Sequence, residues 1–274
     1  MPLFSEHPST LLEFEEWFKT EKACRDYLFR LRWPDGIRCP NCGHTKFWFK
    51  SRKLYQCVSC NYQASLTAGT LFQGTRKPLL LWFRAMWYVT NQKQVVSAMG
   101  LQRVLGLGSY RTAWAWLHKL RVTMVRPGRD RLTGTIEVDE TCIGGEKPDK
   151  RGRGAEGKAL VFIAAKLDGK RIGRIRLARI DNASAPSLES AIKDTIELGA
   201  TVQSDDWNGY NNLSSIGYTH NVIRQIAHLG DNLLPKANLV ASLLKRWLLG
   251  THQGAVHHSR LEYYLDEFTF RFNR

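Results

Sequence analysis

The chain has 274 residues, with 40 Lys and Arg against 25 Asp and Glu for a formal net charge of +15, and 43% of it is hydrophobic. That length and apolar content suit one large domain, alone or with small modules, and exclude a wholly disordered chain. No stretch of about 18 apolar residues could span a bilayer. The opening segment MPLFSEHPSTLLEFEEWF has neither the basic nor the apolar region of a secretory signal.

The excess charge has a location. Residues 1–35 carry a net −2 and residues 135–274 a net +2, whereas residues 36–134 hold 16 basic side chains and one acidic, Asp130. From Gly36 to Arg129 there is no Asp or Glu. This is the electrostatic footprint of a segment that binds a phosphate backbone. The alternative, a basic surface kept for solubility, accounts poorly for so long an acid-free run.

In chain order, residues 9–32 read as a helix that Ser9 or Thr10 can cap, with Trp33-Pro34-Asp35-Gly36 ending it. Cys39-Pro40-Asn41-Cys42 and Cys57-Val58-Ser59-Cys60 follow, fourteen residues apart. Between them, Lys46–Lys50 and Lys53–Gln56 read as two strands joined at Ser51-Arg52, and residues 61–77 read as extended and loop-like. Two CxxC pairs at this spacing fit a tetrahedral four-cysteine zinc site, the metal substituting for a core that so small a module cannot build. Disulfides and a redox motif are the alternatives; the absence of a signal segment and the matched second pair disfavour them. Cys24 and Cys142 fall outside the pattern and read as ordinary thiols.

Pro78 opens a helix to about Thr90, residues 93–101 read as a short helix broken at Gly100, and Ser109 is placed to cap a helix over Tyr110–Met124. Helix, short helix, glycine-containing turn and capped helix are consistent with a helix-turn-helix over residues 76–127. Ala113, Trp114, Leu117 and Leu120 can face inward, leaving Arg111, Lys119 and Arg121 outside to reach DNA. A plain three-helix bundle with a charged outer face is the alternative. Pro127-Gly128 marks a linker.

From Gly134 the character changes. Thr135–Glu140, Leu160–Leu167 and Ile172–Ile180 read as strands, the last two joined by the Asp168-Gly169 turn. A helix runs from Ser184 to about Leu198, a short strand covers Ala200–Ser204, Pro235 opens a helix that Gly250 closes, and Ser259–Phe268 forms the last. Strand alternation sets Asp139 on the face opposite Ile136 and Val138, and Asp205-Asp206 follows directly on a strand. An acid on one strand and an acid at the end of another can hold Mg2+ between them, although Asp after a strand is also common in turns. On the helix from Pro235, Leu239, Val240, Leu243, Leu244, Trp247 and Leu248 form one face, and Asn238, Ser242 and Lys245 cluster opposite. Asn238 and Lys245 could point to one anionic site or form a solvated polar face.

Seven motifs in order, CPNCG…YQCVSC, TAGTLF with PLLLWFRAMW, SYRTAWAWLHKLR, IEVDETCIGG, SDDWNGY, SLLKRWLLGTHQGAV and YLDEFTFRFNR, resemble those of bacterial insertion-sequence transposases. The group resembled is the ISXO-like group of the DDE superfamily with an N-terminal zinc ribbon. The resemblance implies a multidomain α/β chain: an N-terminal helical segment (1–35), a zinc ribbon (36–72), a helix-turn-helix region (76–127) and an RNase H-like mixed-sheet catalytic domain (131–274). It implies a cytoplasmic enzyme that binds double-stranded DNA, both terminal inverted repeats and target, as a homodimer or larger assembly. The implied reaction is Mg2+-dependent strand cleavage and strand transfer. Asp139 matches the first metal-ligand aspartate and Asp205 the second, with Asp206 at a position where the family has glycine. Asn238 falls at the third ligand position and Lys245 matches the lysine two turns on. Cys39, Cys42, Cys57 and Cys60 match the zinc ligands. Two departures stand out: Asn rather than Glu at 238, and an end at Arg274 where relatives continue, compatible with a truncated copy. Both fit the alternative of a decayed or repurposed transposase that acts only by binding DNA.

Overall fold

The computed structural model describes residues 7–51, 53–92, 95–126, 128–144, 158–224, 233–252, 256 and 258–274. It divides into two compact units, Met1–Gln94 with Ala98–Ala113, and Val95–Ser97 with Trp114–Arg274. Arg52, Pro127, Gly145, Gln253, Gly254 and Ala255 of the sequence motifs lie outside the described residues, as do residues 93–94 of the expected short helix.

In the first unit, the single helix expected over residues 9–32 is two, α1 (Leu11–Trp17) and α2 (Glu21–Arg32). Thr20 causes the break: its hydroxyl accepts from the Ala23 N–H and starts a second helix. Thr10 caps α1 in a capping box with Glu13. Phe14 and Phe18 are buried and pack on Trp87 and Phe83 of α3 (Leu79–Asn91), with ring centroids 5.0 and 4.7 Å apart. Pro78 cannot cap α3, so the Glu21 carboxylate accepts from the Leu79 and Leu80 N–H groups, each at 3.0 Å.

The ribbon is a three-stranded antiparallel sheet in the order β1 (Phe47–Phe49), β2 (Leu54–Cys57), β3 (Gln63–Ser65). β3 lies in the stretch read from sequence as loop; its three residues, Gln-Ala-Ser, carry no strand signal. α4 spans Ala98–Leu105, later than expected, with Gly100 inside it and Gly106 (φ +62°) ending it. α5 matches its expected span, Tyr110–Met124.

The second unit is a five-stranded sheet in the order β6-β5-β4-β7-β8. β4 (Thr135–Ile143), β5 (Ala159–Asp168) and β6 (Arg171–Ile180) form an antiparallel meander; β7 (Thr201–Ser204) and β8 (Thr219–Val222) run parallel to β4. Three antiparallel strands followed by two parallel ones on the far side of the first is the RNase H-like order. β5 reads as a nearly continuous apolar run because both of its faces are covered. Phe162 and Ala164 join Ile136 and Val138 in one core under α6 (Ala185–Thr195). Val161, Ile163 and Ala165 join a second core with α7 (Pro235–His252) and α8 (Leu261–Phe272).

Boundaries differ from expectation where tertiary pairing takes over. α6 stops at Thr195 because Ile196 bridges to Leu132 in extended conformation. α7 continues through Gly250, and α8 runs four residues beyond Phe268. Leu239, expected on the apolar face of α7, is exposed, and Ala237 and Ala241 are buried with Val240 and Leu244. β8 went unread because Thr-His-Asn-Val has one apolar residue.

Candidate active site and metal centre

The Sγ atoms of Cys39, Cys42, Cys57 and Cys60 lie within 4.8 Å of one another. Cys39 and Cys60 sulfurs are 3.4 Å apart, Cys42 and Cys57 sulfurs 3.6 Å. Zn–S bonds of about 2.3 Å in a tetrahedron set sulfurs about 3.8 Å apart, so the donor set fits zinc in size and chemistry. Each pair sits on a tight backbone knuckle. The Gly43 N–H donates to the Cys39 carbonyl at 2.8 Å, and the Asn61 N–H to the Cys57 carbonyl at 3.1 Å. Both donors have positive φ, +74° and +60°, which glycine and asparagine tolerate. Cys24 is fully buried, and burial, followed by the Glu21 charge, pushes its thiol up to about 11; it is an ordinary core thiol.

In the second unit the two aspartates are related through strand register. β4 and β7 pair in parallel as Thr135 with Thr201, Ile136 with Val202 and Glu137 with Gln203. Asp139 lies two residues beyond the last paired residue of β4, and Asp205 directly follows β7, so the parallel pairing carries both aspartates toward the same end of the two strands. Both are close enough to Tyr210 for their charges to raise its pKa, after burial and Glu140. Asp139 pairs across the sheet with Ile163, so it faces the α7 side, opposite Ile136 and Val138 as expected. Its Oδ1 accepts from the Glu140 N–H at 2.8 Å, and Asp205 Oδ1 accepts from the Trp207 N–H at 3.2 Å. Asp206, in the family's glycine position, points its carboxylate to Arg224 at 3.1 Å.

Asn238 reaches the same neighbourhood by a route absent from the sequence reading. Glu137, two residues before Asp139 on the same strand face, is buried, and its Oε2 accepts from the Lys236 N–H at 2.7 Å and the Ala237 N–H at 2.9 Å. A carboxylate at a helix N-terminus satisfies orphan donors and suits the helix dipole. The first turn of α7, with the exposed Asn238, is thereby fastened to the strand that carries Asp139. Lys245 is exposed two turns further along the helix.

Two further residues shape the site without having been anticipated. The buried Tyr210 hydroxyl donates to Glu140 Oε1 at 2.5 Å. Burial first, then the charge and hydrogen bond of Glu140, push its pKa well up, so it remains a neutral donor. The loop between Asp205 and Tyr210 needs glycine: a Cβ on Gly209 would meet Leu188 Cδ1 at 2.7 Å and the Ala183 carbonyl at 2.8 Å. Ser204 binds His220 Nε2 at 2.9 Å below the same loop.

Of the three cations expected to reach DNA from α5, Arg111 and Lys119 are exposed. Arg121 is not: 2% exposed, its Nε donates to Glu267 Oε2 at 2.7 Å, and its guanidinium lies 4.2 Å over the Tyr264 ring. Glu267 also binds Arg271 at 2.8 Å. Arg121 is therefore withdrawn from the DNA-reaching set, because the end of α5 packs on α8 and turns that position inward.

A family model described as an ISXO2-like transposase domain matches residues 131–273, more than half of the chain. One described as a transposase zinc-ribbon domain matches residues 19–63. The chain is 26% identical over 280 residues to a protein in transposable element ISH50 of Halobacterium salinarum, covering 93% of this chain and 91% of that one. Among solved structures, the catalytic core domain of BIV integrase overlaps 49% of this chain and 81% of its own, at 16% identity and a TM-score of 0.33. With its four-cysteine ribbon and its carboxylates on a mixed sheet of RNase H-like order, the chain belongs to the ISXO2-like transposase family.

Proposed function

We propose that this protein binds the ends of an insertion sequence as double-stranded DNA and catalyses Mg2+-dependent strand cleavage and strand transfer. The observation that supports the reading is that the parallel β4–β7 pairing runs toward Asp139 and Asp205, both near enough to Tyr210 for their charges to act on it. Carboxylate and amide oxygens suit a hard cation such as Mg2+. Bound there, divalent ions would supply activation of an attacking oxygen and stabilisation of a leaving one, the chemistry that strand cleavage and strand transfer require. The protein's own residues hold and orient. Asp139 and Asp205 hold the metal, and Asn238 adds a neutral oxygen, leaving the site one charge poorer than a third carboxylate would. Glu137 and Tyr210 fix the strand, helix and loop around them. Lys245 contacts a backbone phosphate.

The four ribbon cysteines hold a structural zinc, and the acid-free stretch supplies the grip on DNA, with Arg111 and Lys119 reaching phosphates or base edges. Pairing two element ends calls for at least two copies of the chain. No helix among the described residues is long and apolar enough to cross a membrane, and the protein acts where the cell keeps its DNA, in the cytoplasm.

The test is cleavage and joining of labelled terminal-repeat duplex with and without Mg2+. Unmutated protein cuts and joins only with metal, and Asp139→Ala and Asp205→Ala proteins do neither. Equal activity in either variant would overturn the assignment. Asn238 favours one other reading, a DNA-binding protein without catalysis; it predicts duplex binding with no Mg2+-dependent product from the unmutated chain.

A further inference from the structure

Away from the two aspartates, the described residues of the second unit gather several arginines around one cleft. A cleft of about 300 Å3 is lined by Arg126 and Arg129 after α5, Arg174 and Arg176 on edge strand β6, and Arg274 at the end of the described chain. Its one lining acid, Asp130, is highly exposed and lies 4.0 Å from Arg174. Asp266 of α8 partly offsets Arg129. Arg176 forms the floor: 5% exposed, it donates to the Ile175 and Asp130 carbonyls at 2.9 and 2.6 Å. Burial and then the charges of Arg129 and Arg174 press its pKa down to about 10, with Asp130 acting the other way.

The backbone is shaped to this cluster. β5 pairs with β6 as Ala165 with Ile175 and Leu167 with Ile172, so Gly173 and Arg174 together oppose Lys166. That bulge sits where Arg174 leaves the edge strand, and bulges of this kind re-aim a side chain. A Cβ on Gly173 would lie 3.4 Å from both the Lys166 carbonyl oxygen and its side chain, in van der Waals contact with the opposing residue. Like charges held together repel in the folded state unless an anion lies between them. Arginine forks match phosphate oxygens.

We propose that the cleft of Arg126, Arg129, Arg174 and Arg176 is a second phosphate-backbone site for duplex DNA, on the sheet edge away from the two aspartates. This rests on the DNA-handling reading above. The chemistry it selects is a phosphate group; the acid-free segment that leads into it favours a DNA backbone over a free phosphate as the source.

The experiment is salt-dependent binding of the full chain to a random-sequence duplex oligonucleotide. Arg126 and Arg174 are both exposed, so an Arg126→Gln/Arg174→Gln protein keeps its fold, checked by an unchanged melting curve. Each lost phosphate contact flattens the slope of log K against log salt by about 0.9. The double variant is therefore expected to lose about 12-fold less affinity than unmutated protein between about 50 and 200 mM salt. Lys193→Gln, an exposed cation on α6, is expected to leave the slope unchanged. An unaltered slope in the double variant overturns the site while leaving the DNA reading intact; absence of duplex binding by the unmutated chain overturns both. A melting shift with inorganic pyrophosphate that the double variant loses, with the duplex slope unaltered, also overturns it and marks a free-anion site.

Discussion

In the ribbon, strands of three, four and three residues surround four cysteines, and Trp48 and Phe49 of β1 are more than half exposed. In the second unit, strands of nine, ten and ten residues are backed by a core on each face of the sheet, with Asp139 inside β4 and Asp205 just after β7. The ribbon has little apolar surface to bury and depends on its ion for its shape. The sheet positions its carboxylates through register, core packing and one buried carboxylate, before any ion arrives. On the function proposed above, one chain uses metal as a structural element in one region and as a reagent in another.

The largest effect should come from stripping metal. A structural zinc contributes on the order of 10 kcal/mol to a module of this kind. With a chelator, or in Cys57→Ser protein, hydrogen exchange across residues 37–66 should become rapid while β4, β5 and β6 keep their protection. Ribbon protection surviving chelation would break the contrast. Next is Glu137→Ala, which removes a charged acceptor from two N–H groups and leaves them buried; urea unfolding of the second unit should show a loss of about 3 kcal/mol. Glu137→Gln, which retains an acceptor oxygen, should lose less. A loss confined to metal affinity, with stability intact, would mean that the sheet too borrows its shape from ions.

The smallest effect is in pH. His118 and His252 both pack on the Tyr264 ring and have buried, unpartnered Nε2 atoms. Burial, followed by the Arg121 charge, holds each down to about 4. Their folded pKa values lie below the unfolded value of about 6.5, so the folded state binds fewer protons there. The stability they confer is present above about 6.5 and is lost as pH falls toward 4. Melting of the second unit should decline across that window, and less so in His118→Asn/His252→Asn protein. An equal decline in both would assign the acid sensitivity elsewhere.

The parts of the fold that follow a period were legible from sequence. Alternation on β4 set Asp139 opposite Ile136 and Val138, and the cysteine spacing announced the ribbon. What escaped depended on partners distant in the chain. β3 and β8 are made strands by their neighbours, since Gln-Ala-Ser and Thr-His-Asn-Val have no pattern of their own. Arg121 looked like an exposed cation until Glu267, far along the chain, drew it inward. Glu137 was visible as an acid on the right face, but nothing local told that its partners would be amides at 236 and 237. Thr20, following Phe18 and Lys19 and preceding Glu21, was a readable cap that could have split the first helix.

The β4–β7 ladder sets a rule for what this chain can tolerate in evolution or engineering. Insertions in the connections between elements, outside β5, β6 and α6, leave the pairing of β4 with β7 in place, because that pairing is made by strand register and not by the length of the connections. A slip of one residue within the ladder would turn Asp139 into the core under α6, and a slip of two would keep its face but carry it about 7 Å along the strand. The gene is thus free to vary in length at the connections between its two aspartate codons, and rigid over the strands and the helix that form the pairing and the core.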